Sequence, residues 1–358
     1  MRVAVFWTRL SGYLNACLKE LASRPGVELL VAHETADNDA PFDASQFSWI
    51  ESGSRFEYAV RPDRYALLEQ TRRFAPDVLL VNSWHIGEFR HILQHLRPLP
   101  LRVLCMDNQW RGTWKQRLGV IGSPWYVRRL YDAAFLPGER QACFARRLGF
   151  SDDRIWQGLL CPDAATFVTE AGKPVSLLPR VFGYLGRLCP EKGIQDLLRA
   201  YEIYRASTSD PWDLRIAGAG PLGPELDRHH AVIRSGFVQP AESGAWMRGI
   251  GCLVVPSRFE PWGVVVSEGA SAGLPIIATN ACGAVPHLVH DFANGRVART
   301  GDVRSLASCM AYVASLSDDE RLAMGQVSRG LANPYAPARW ADTVLARSAE
   351  LLADQVMR

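Results

Sequence analysis

Two glutamates, Glu260 and Glu268, stand eight residues apart around a Pro-Trp-Gly turn and a run of three valines, in RFEPWGVVVSEGASAGLPIIATN (258–280). Pro261 and Gly263 suit a helix start, and Gly273 followed by Pro275 is a stop signal. The next run, PIIATN, reads as a short buried parallel strand. The spacing therefore predicts a short helix with one glutamate just before its N-terminus and the other about halfway along it. A helix N-terminus offers unbonded N–H groups and the positive end of the macrodipole, which suits a phosphate. A carboxylate one to two turns further along can accept hydrogen bonds from a ribose diol. The earlier carboxylate, in a loop, can reach a sugar beyond the phosphate. An ordinary strand–turn–helix with two solvated glutamates would show the same spacing.

A second cluster supplies the opposite charge. In GYLGRLCPEKG (183–193), Gly186 permits a tight turn, and Arg187 and Lys192 put two cations into one loop. Arg binds two oxygens at once and Lys acts as a mobile point charge, so together they suit a diphosphate whose charge grows as a bond to it breaks. A solvated basic loop is the plainer alternative. IAGAGPLG (216–223) holds a G-x-G-x-x-G after a strand. Its prolines and the lack of an acidic residue after a strand about 20 residues on make it a weak dinucleotide fingerprint, yet a glycine-rich loop such as Gly218-Ala219-Gly220 can still approach a nucleotide.

The elements that must position these groups follow an α/β alternation. RVAVFW (2–7) is a first strand, Ser11-Gly12 a small polar turn, 13–22 a helix and VELLVAH (27–33) a second strand. Residues 35–60 read as a polar loop; its Asp37-Asn38-Asp39 triplet is either a metal-binding acidic run or, more simply, solvated. A helix over 61–74, a strand within 75–84, a helix over 87–96 and a strand within 101–110 follow. Ligands of open α/β sheets bind beyond the carboxyl ends of the strands, which is where His85 and Asp107 fall. A capping or surface histidine, and a turn or N-cap aspartate, are the competing readings. Residues 110–131 mix Trp110, Trp114, Trp125, Tyr126 and Tyr131 with Arg111, Lys115, Arg117, Arg128 and Arg129. Such a mixture marks either a membrane-interface surface or helices turning their aromatic faces into the core. After a strand at 132–138, a helix to about 148 and RIWQGLLCPDA (154–164), the segment TEAGKPVSLLP (169–179) has linker composition. Strands at 181–186, 213–218, 235–238 and 252–256 and a helix over 194–205 form a second set. The architecture expected is two doubly wound, Rossmann-like domains facing across a cleft. They cover 1–170 and 171–336, and a last helix (about 337–358) crosses back to the first domain.

Composition bounds the partners. The 358 residues, 48% hydrophobic and 22% charged, suit two globular domains. A net charge of +3 gives no ground for nucleic acid. The eight cysteines are scattered with no C-x-x-C pair, so they predict buried thiols, a reducing cytoplasm and no zinc site. No run approaches the ~18 apolar residues of a membrane span. The expectation is a cytoplasmic protein with a possible peripheral contact at the inner face of the membrane through 110–131.

The set GRLCPEKG, IAGAGPL, SGFV and VVPSRFEPWGVVVSEGASAGLPIIAT, in this order over about 180–290, resembles glycosyltransferase family 4. Those are retaining, nucleotide-sugar-dependent enzymes of GT-B fold (glycosyl transferases group 1). The resemblance implies that Arg187 and Lys192 bind the donor diphosphate and that Glu260 faces the donor sugar. It implies further that Glu268 binds the ribose hydroxyls, that the backbone at Gly263 and Val264 meets the phosphate or sugar, and that Gly218 and Gly220 lie near the nucleotide. It also implies a glycan, lipid-linked or lipopolysaccharide-type acceptor, and no cofactor or metal beyond the donor. The first domain departs from the family pattern. Where many relatives have a double glycine after the first strand, only Ser11-Gly12 stands here; where many have a histidine after the strand at 102–106, Asp107 stands. The acceptor-side group is thus open between Asp107 and His85. A sugar-nucleotide epimerase of similar shape, or a donor-binding protein without transfer activity, would carry many of the same features.

Overall fold

The computed structural model describes residues 1–33, 49, 56–60, 63–167, 178–227 and 229–356. The acidic triplet at 37–39 and most of the linker segment 169–179 lie outside the described residues. The chain divides into two compact units, Met1–Cys161 with Pro337–Arg358, and Pro162–Ala336.

In the first unit, strands and helices alternate as β1 (Arg2–Trp7), α1 (Gly12–Ser23), β2 (Glu28–His33), β3 (Phe56–Val60), α2 (Arg64–Phe74), β4 (Val78–Val81), α3 (Gly87–His95), β5 (Leu101–Cys105), α4 (Trp114–Tyr126), β6 (Ala133–Leu136), α5 (Glu139–Arg147) and β7 (Ile155–Gln157). All seven strands are parallel, in the order β3-β2-β1-β4-β5-β6-β7. Helices cover both faces, so the central strands are continuous apolar runs without alternation, as VLLV at Val78–Val81 is fully buried. Asp63 caps α2 by accepting from the Tyr65 and Ala66 amides, and the helix stops at Ala75, which adopts φ 47°.

The second unit runs β8 (Val181–Leu185), α6 (Ile194–Ala206), β9 (Asp213–Ala217), β10 (Val232–Gly236), β11 (Cys252–Val255), α7 (Val264–Ala272), β12 (Ile276–Thr279), β13 (Gly295–Ala298), α8 (Val303–Ser315) and α9 (Asp318–Ala332), with shorter helical turns between. Its sheet is parallel in the order β10-β9-β8-β11-β12-β13, the same winding as the first. Phe182 packs in its core edge-on to Tyr204 and tilted against Trp212, with centroids 5.4 and 4.9 Å away. The last helix, α10 (Pro337–Val356), belongs to the first unit. Trp340 buries against Phe135 of β6, and Arg24 at the end of α1 pairs with Asp342 at 2.9 Å.

Three details differ from the sequence expectation. Phe56–Val60 is an edge strand inside what reads as a polar loop. The strand expected at 235–238 lies earlier, at Val232–Gly236, because Gly236 at φ 70° turns the chain out of the sheet. The aromatic segment 110–131 turns only part of its aromatic set inward: Trp110 and Tyr126 pack against the core, whereas Trp114 and Trp125 are exposed. No helix among the described residues is long and apolar enough to cross a membrane.

Candidate functional site

Strand order decides where ligands go. A doubly wound sheet opens a crevice where successive connections leave in opposite directions, beyond the carboxyl ends of the two central strands. In the second unit those strands are β8 and β11. The loop 186–193 follows β8 and the segment 256–263 follows β11, so the cationic loop and the first glutamate become neighbours although 68 residues separate Lys192 from Glu260.

Both main chains fix this meeting. Past the end of β8 the loop runs on beside the glycine-rich turn after β9: the Gly186 amide donates to Ala217 O (3.0 Å) and the Leu188 amide to Ala219 O (2.8 Å). Gly218 (φ 143°) and Gly220 (φ 153°) lie so close to this loop that a Cβ would come within 1.8 Å of Gly186 O and 2.5 Å of Leu188 O. Their lack of a side chain thus lets two backbone segments touch. A 3-10 turn at Pro190–Lys192 ends in Gly193 (φ 70°), where a Cβ would sit 2.1 Å from Pro256 O. The amides of Arg258 and Phe259 in turn donate to Glu191 O at 2.8 and 3.2 Å.

On this frame Lys192 Nζ is ion-paired to Glu260 Oε2, and the two side chains are only 17% and 11% exposed. Ser257 Oγ donates to the same carboxylate oxygen at 3.4 Å. Arg187 is different: it is 60% exposed and meets Glu191 at 3.5 Å, so its guanidinium is a solvent-facing cation at the mouth of the loop. Sequence reading gave no role to Arg258 and Asp196. Arg258 donates through Nε and Nη2 to the two oxygens of the buried Asp196 carboxylate, both at 2.7 Å, and so ties the Glu260 segment to the first turn of α6. An acid in a helix's first turn and an arginine two residues before the glutamate were the available signals.

Gly263 caps α7 at φ 94° and brings no side-chain acceptor to the helix start. A Cβ there would lie 2.8 Å from Cys282 Sγ and 3.0 Å from Glu260 Cγ. The first turn, beginning at Val264, therefore starts directly beside the Glu260 side chain. One turn on, Glu268 is half-buried and has no hydrogen-bond or ion-pair partner among the described residues. Burial pushes its carboxyl group up to about 7. A partly dehydrated carboxylate with no donor facing it fits a ligand that brings two hydroxyl groups.

The first unit gathers its candidates at the equivalent place, the carboxyl ends of β1, β4 and β5. Asn82 and Thr8 clamp the switch point: Thr8 N donates to Asn82 Oδ1 and Asn82 Nδ2 to Thr8 Oγ1, both at 2.9 Å. Beside them a cavity of about 510 Å³ is lined by Ser11, Tyr13, Asn82, His85 and Asp107 among others. The loop carrying His85 is held by two tyrosines, with Tyr126 Oη donating to Trp84 O (2.8 Å) and Tyr131 Oη to Ser83 O (3.2 Å). Desolvation first, and Arg90 second, lower the basicity of the His85 imidazole. Burial raises the Tyr13 phenol, with the charge of Asp107 adding to it. Gly12 opens α1 behind Ser11. Tyr13 and Asn82 escaped the sequence reading because neither stands in a recognisable motif. Among the described residues no group of three or more His, Cys, Asp or Glu is placed to hold a metal.

Comparison with known proteins agrees with this geometry. Residues 179–315 match the family model for glycosyl transferases group 1. The chain is 33% identical over 164 residues to the glycogen synthase of Mycobacterium tuberculosis, covering 44% of this chain but only 38% of that protein's length. It is 31% identical over 293 residues to the D-inositol 3-phosphate glycosyltransferase of Corynebacterium efficiens, covering 73% of this chain and 68% of the relative. Among solved structures, Anabaena Alr3699/HepE in complex with UDP and glucose superposes with a TM-score of 0.73 at 16% identity, over 99% of this chain and all of that one. That likeness shows the GT-B fold, with its two doubly wound α/β domains. With an alignment that spans both units and a family match that spans the whole charged site, the chain belongs to the group 1 glycosyl transferases.

Proposed function

We propose that the protein transfers a sugar from a nucleoside-diphosphate sugar to an acceptor hydroxyl, with retention of anomeric configuration. The observation that carries this reading is the Lys192–Glu260 pair, held at the glycine-led start of α7 with Glu268 on the same helix. The donor diphosphate takes the helix start, Lys192 and Arg187, and its ribose diol donates to Glu268. Glu260 then faces the sugar. As the glycosidic bond breaks, negative charge builds on the diphosphate, and these fixed and mobile positive groups lower the barrier by several kcal/mol. We assign no metal to that task.

Retention follows if the acceptor attacks from the face the diphosphate leaves, with a phosphate oxygen taking the acceptor proton. His85 and Asp107 are the acceptor-side candidates, in the wall of the 510 Å³ cavity, and the acceptor is a saccharide or a lipid-linked saccharide. The bound UDP and glucose of the Anabaena protein support a nucleoside-diphosphate donor of this type.

The test is incubation with a panel of nucleotide sugars, with and without saccharide acceptors, following released nucleoside diphosphate and the product's anomeric proton by NMR. Release that requires an acceptor and gives a retained anomer is the expected outcome. An epimerised donor, or binding without turnover across the panel, would overturn the reading.

A further inference from the structure

Helix α4 presents an apolar stripe to solvent. Trp114, Leu118, Ile121 and Trp125 are 68%, 58%, 67% and 74% exposed, and their spacing puts them on one helical face. At the α-helical rise the stripe is about 16 Å long. Its exposure is not loose packing. The other face is anchored: Val120 and Tyr126 lie on the core, and the buried Ser123 Oγ donates to Leu148 O at 2.6 Å. Single exposed apolar side chains are common on protein surfaces, but four in register, two of them tryptophan, form a patch that calls for a partner.

The charge around the stripe selects that partner. Between Asp107 and Asp132 there is no acidic residue, while Arg111, Lys115, Arg117, Arg128 and Arg129 all fall in this stretch. Lys115 Nζ lies 5.7 Å from the centroid of the Trp114 ring, a cation beside an amphipathic aromatic. At the far end of the helix a cavity of about 600 Å³ opens beside Trp125, with Arg97 and Arg129 in its wall. Tryptophans at an apolar face, on a helix whose charged residues are all cations, match the boundary between acyl chains and anionic headgroups.

We propose that this face of α4 docks the protein in the plane of an anionic bilayer surface, with the four apolar side chains entering the headgroup region and the cavity at Arg97 and Arg129 receiving a lipid phosphate. The inference is independent of the donor site, since it uses none of its residues.

Flotation of the full chain with vesicles tests it. Vesicles of phosphatidylglycerol and phosphatidylcholine should carry the protein up, pure phosphatidylcholine should carry much less, and ~0.5 M salt should release most of it. A Trp114→Gln, Leu118→Gln, Ile121→Gln, Trp125→Gln variant changes only exposed positions. With circular dichroism and melting temperature unchanged, it should bind at least ~10-fold more weakly. Neutralising Lys115, Arg117 and Arg129 should weaken binding about fivefold per charge. The proposal fails if the wild type stays in solution with every vesicle, or if the stripe variant floats as well as wild type. It also fails if light scattering finds a wild-type dimer that the stripe variant turns into a monomer, which would make the face a contact between copies.

Discussion

Replacing Glu260 by Gln should tighten the binding of a nucleoside diphosphate while it suppresses transfer. The Lys192 ammonium is committed to the Glu260 carboxylate, and both groups are largely shielded from water. At an effective dielectric near 20, two unit charges ~4 Å apart attract by about 4 kcal/mol. An incoming diphosphate competes for the same cation and must also approach a carboxylate, so part of that attraction opposes binding. Gln keeps the shape and one acceptor oxygen but removes the negative charge. If a quarter to a third of the Coulomb energy is recovered, the gain is about 1 kcal/mol, or roughly fivefold tighter binding.

Lys192→Met is the matching perturbation. It removes a hydrogen bond to a charged group, worth about 1.5–3 kcal/mol, so affinity should fall by between one and two powers of ten. It also leaves Glu260 buried beside an apolar side chain, which destabilises the unit by about 3 kcal/mol; the double variant should recover much of that loss. Calorimetric titration of UDP, ADP and GDP into the three variants, with urea unfolding of each, measures all of these quantities. Weaker nucleoside diphosphate binding in Glu260→Gln, to the same extent as in Lys192→Met, would refute the competition and make Glu260 part of the phosphate site's support.

Gly263→Ala should lower unfolding stability by about 2–3 kcal/mol in urea titration, because the residue sits at φ 94° and its new Cβ would press on Cys282 Sγ. Asp196→Ala should cost about 2 kcal/mol and loosen the Glu260 segment, read as slower transfer with little change in UDP affinity. Glu268 carries a pH signature: its pKa is raised from an ordinary 4.5 to about 7, so the folded state binds the proton more tightly. Stability is unaffected below pH ~4.5, declines by about 2–3 kcal/mol as the pH rises to ~7, and is flat above. Glu268→Gln should abolish that part of the decline in urea titrations across pH, and should also weaken ribonucleotides relative to their 2′-deoxy counterparts.

The sequence displayed the parts of this site more clearly than their meeting. Gly263, Glu260 and Glu268 read correctly as a turn, a loop carboxylate and a helix carboxylate, because caps and stop signals act over a few residues. That Lys192 would close on Glu260 depends on β8 lying next to β11, a consequence of winding order that no local pattern encodes. The glycines at 218 and 220 were visible as flexible positions, but their reason, main chain packed on Gly186 O and Leu188 O, is tertiary. In the first unit, fully buried strands such as VLLV stood out as apolar runs. The edge strand FEYAV was hidden by the polar stretch around it.

The two sheets wind identically, so their switch points invite direct comparison. At the first, the strand ends are joined by two neutral hydrogen bonds between Thr8 and Asn82. At the second, the segments beyond the equivalent strands are joined by a shielded ion pair. A neutral clamp holds its place whether or not a charged ligand arrives, and it borders a cavity lined by His85 and Asp107. An ion pair, by contrast, can be divided by a third charge, which frees its cation for an anionic ligand. In the function proposed above, the same topology supplies a polar pocket for the acceptor hydroxyl in one unit and a divisible ion pair for the donor phosphate in the other. Exchanging the character of the first clamp, by Thr8→Lys with Asn82→Glu, should leave nucleotide affinity at the second unit unchanged while reducing acceptor turnover.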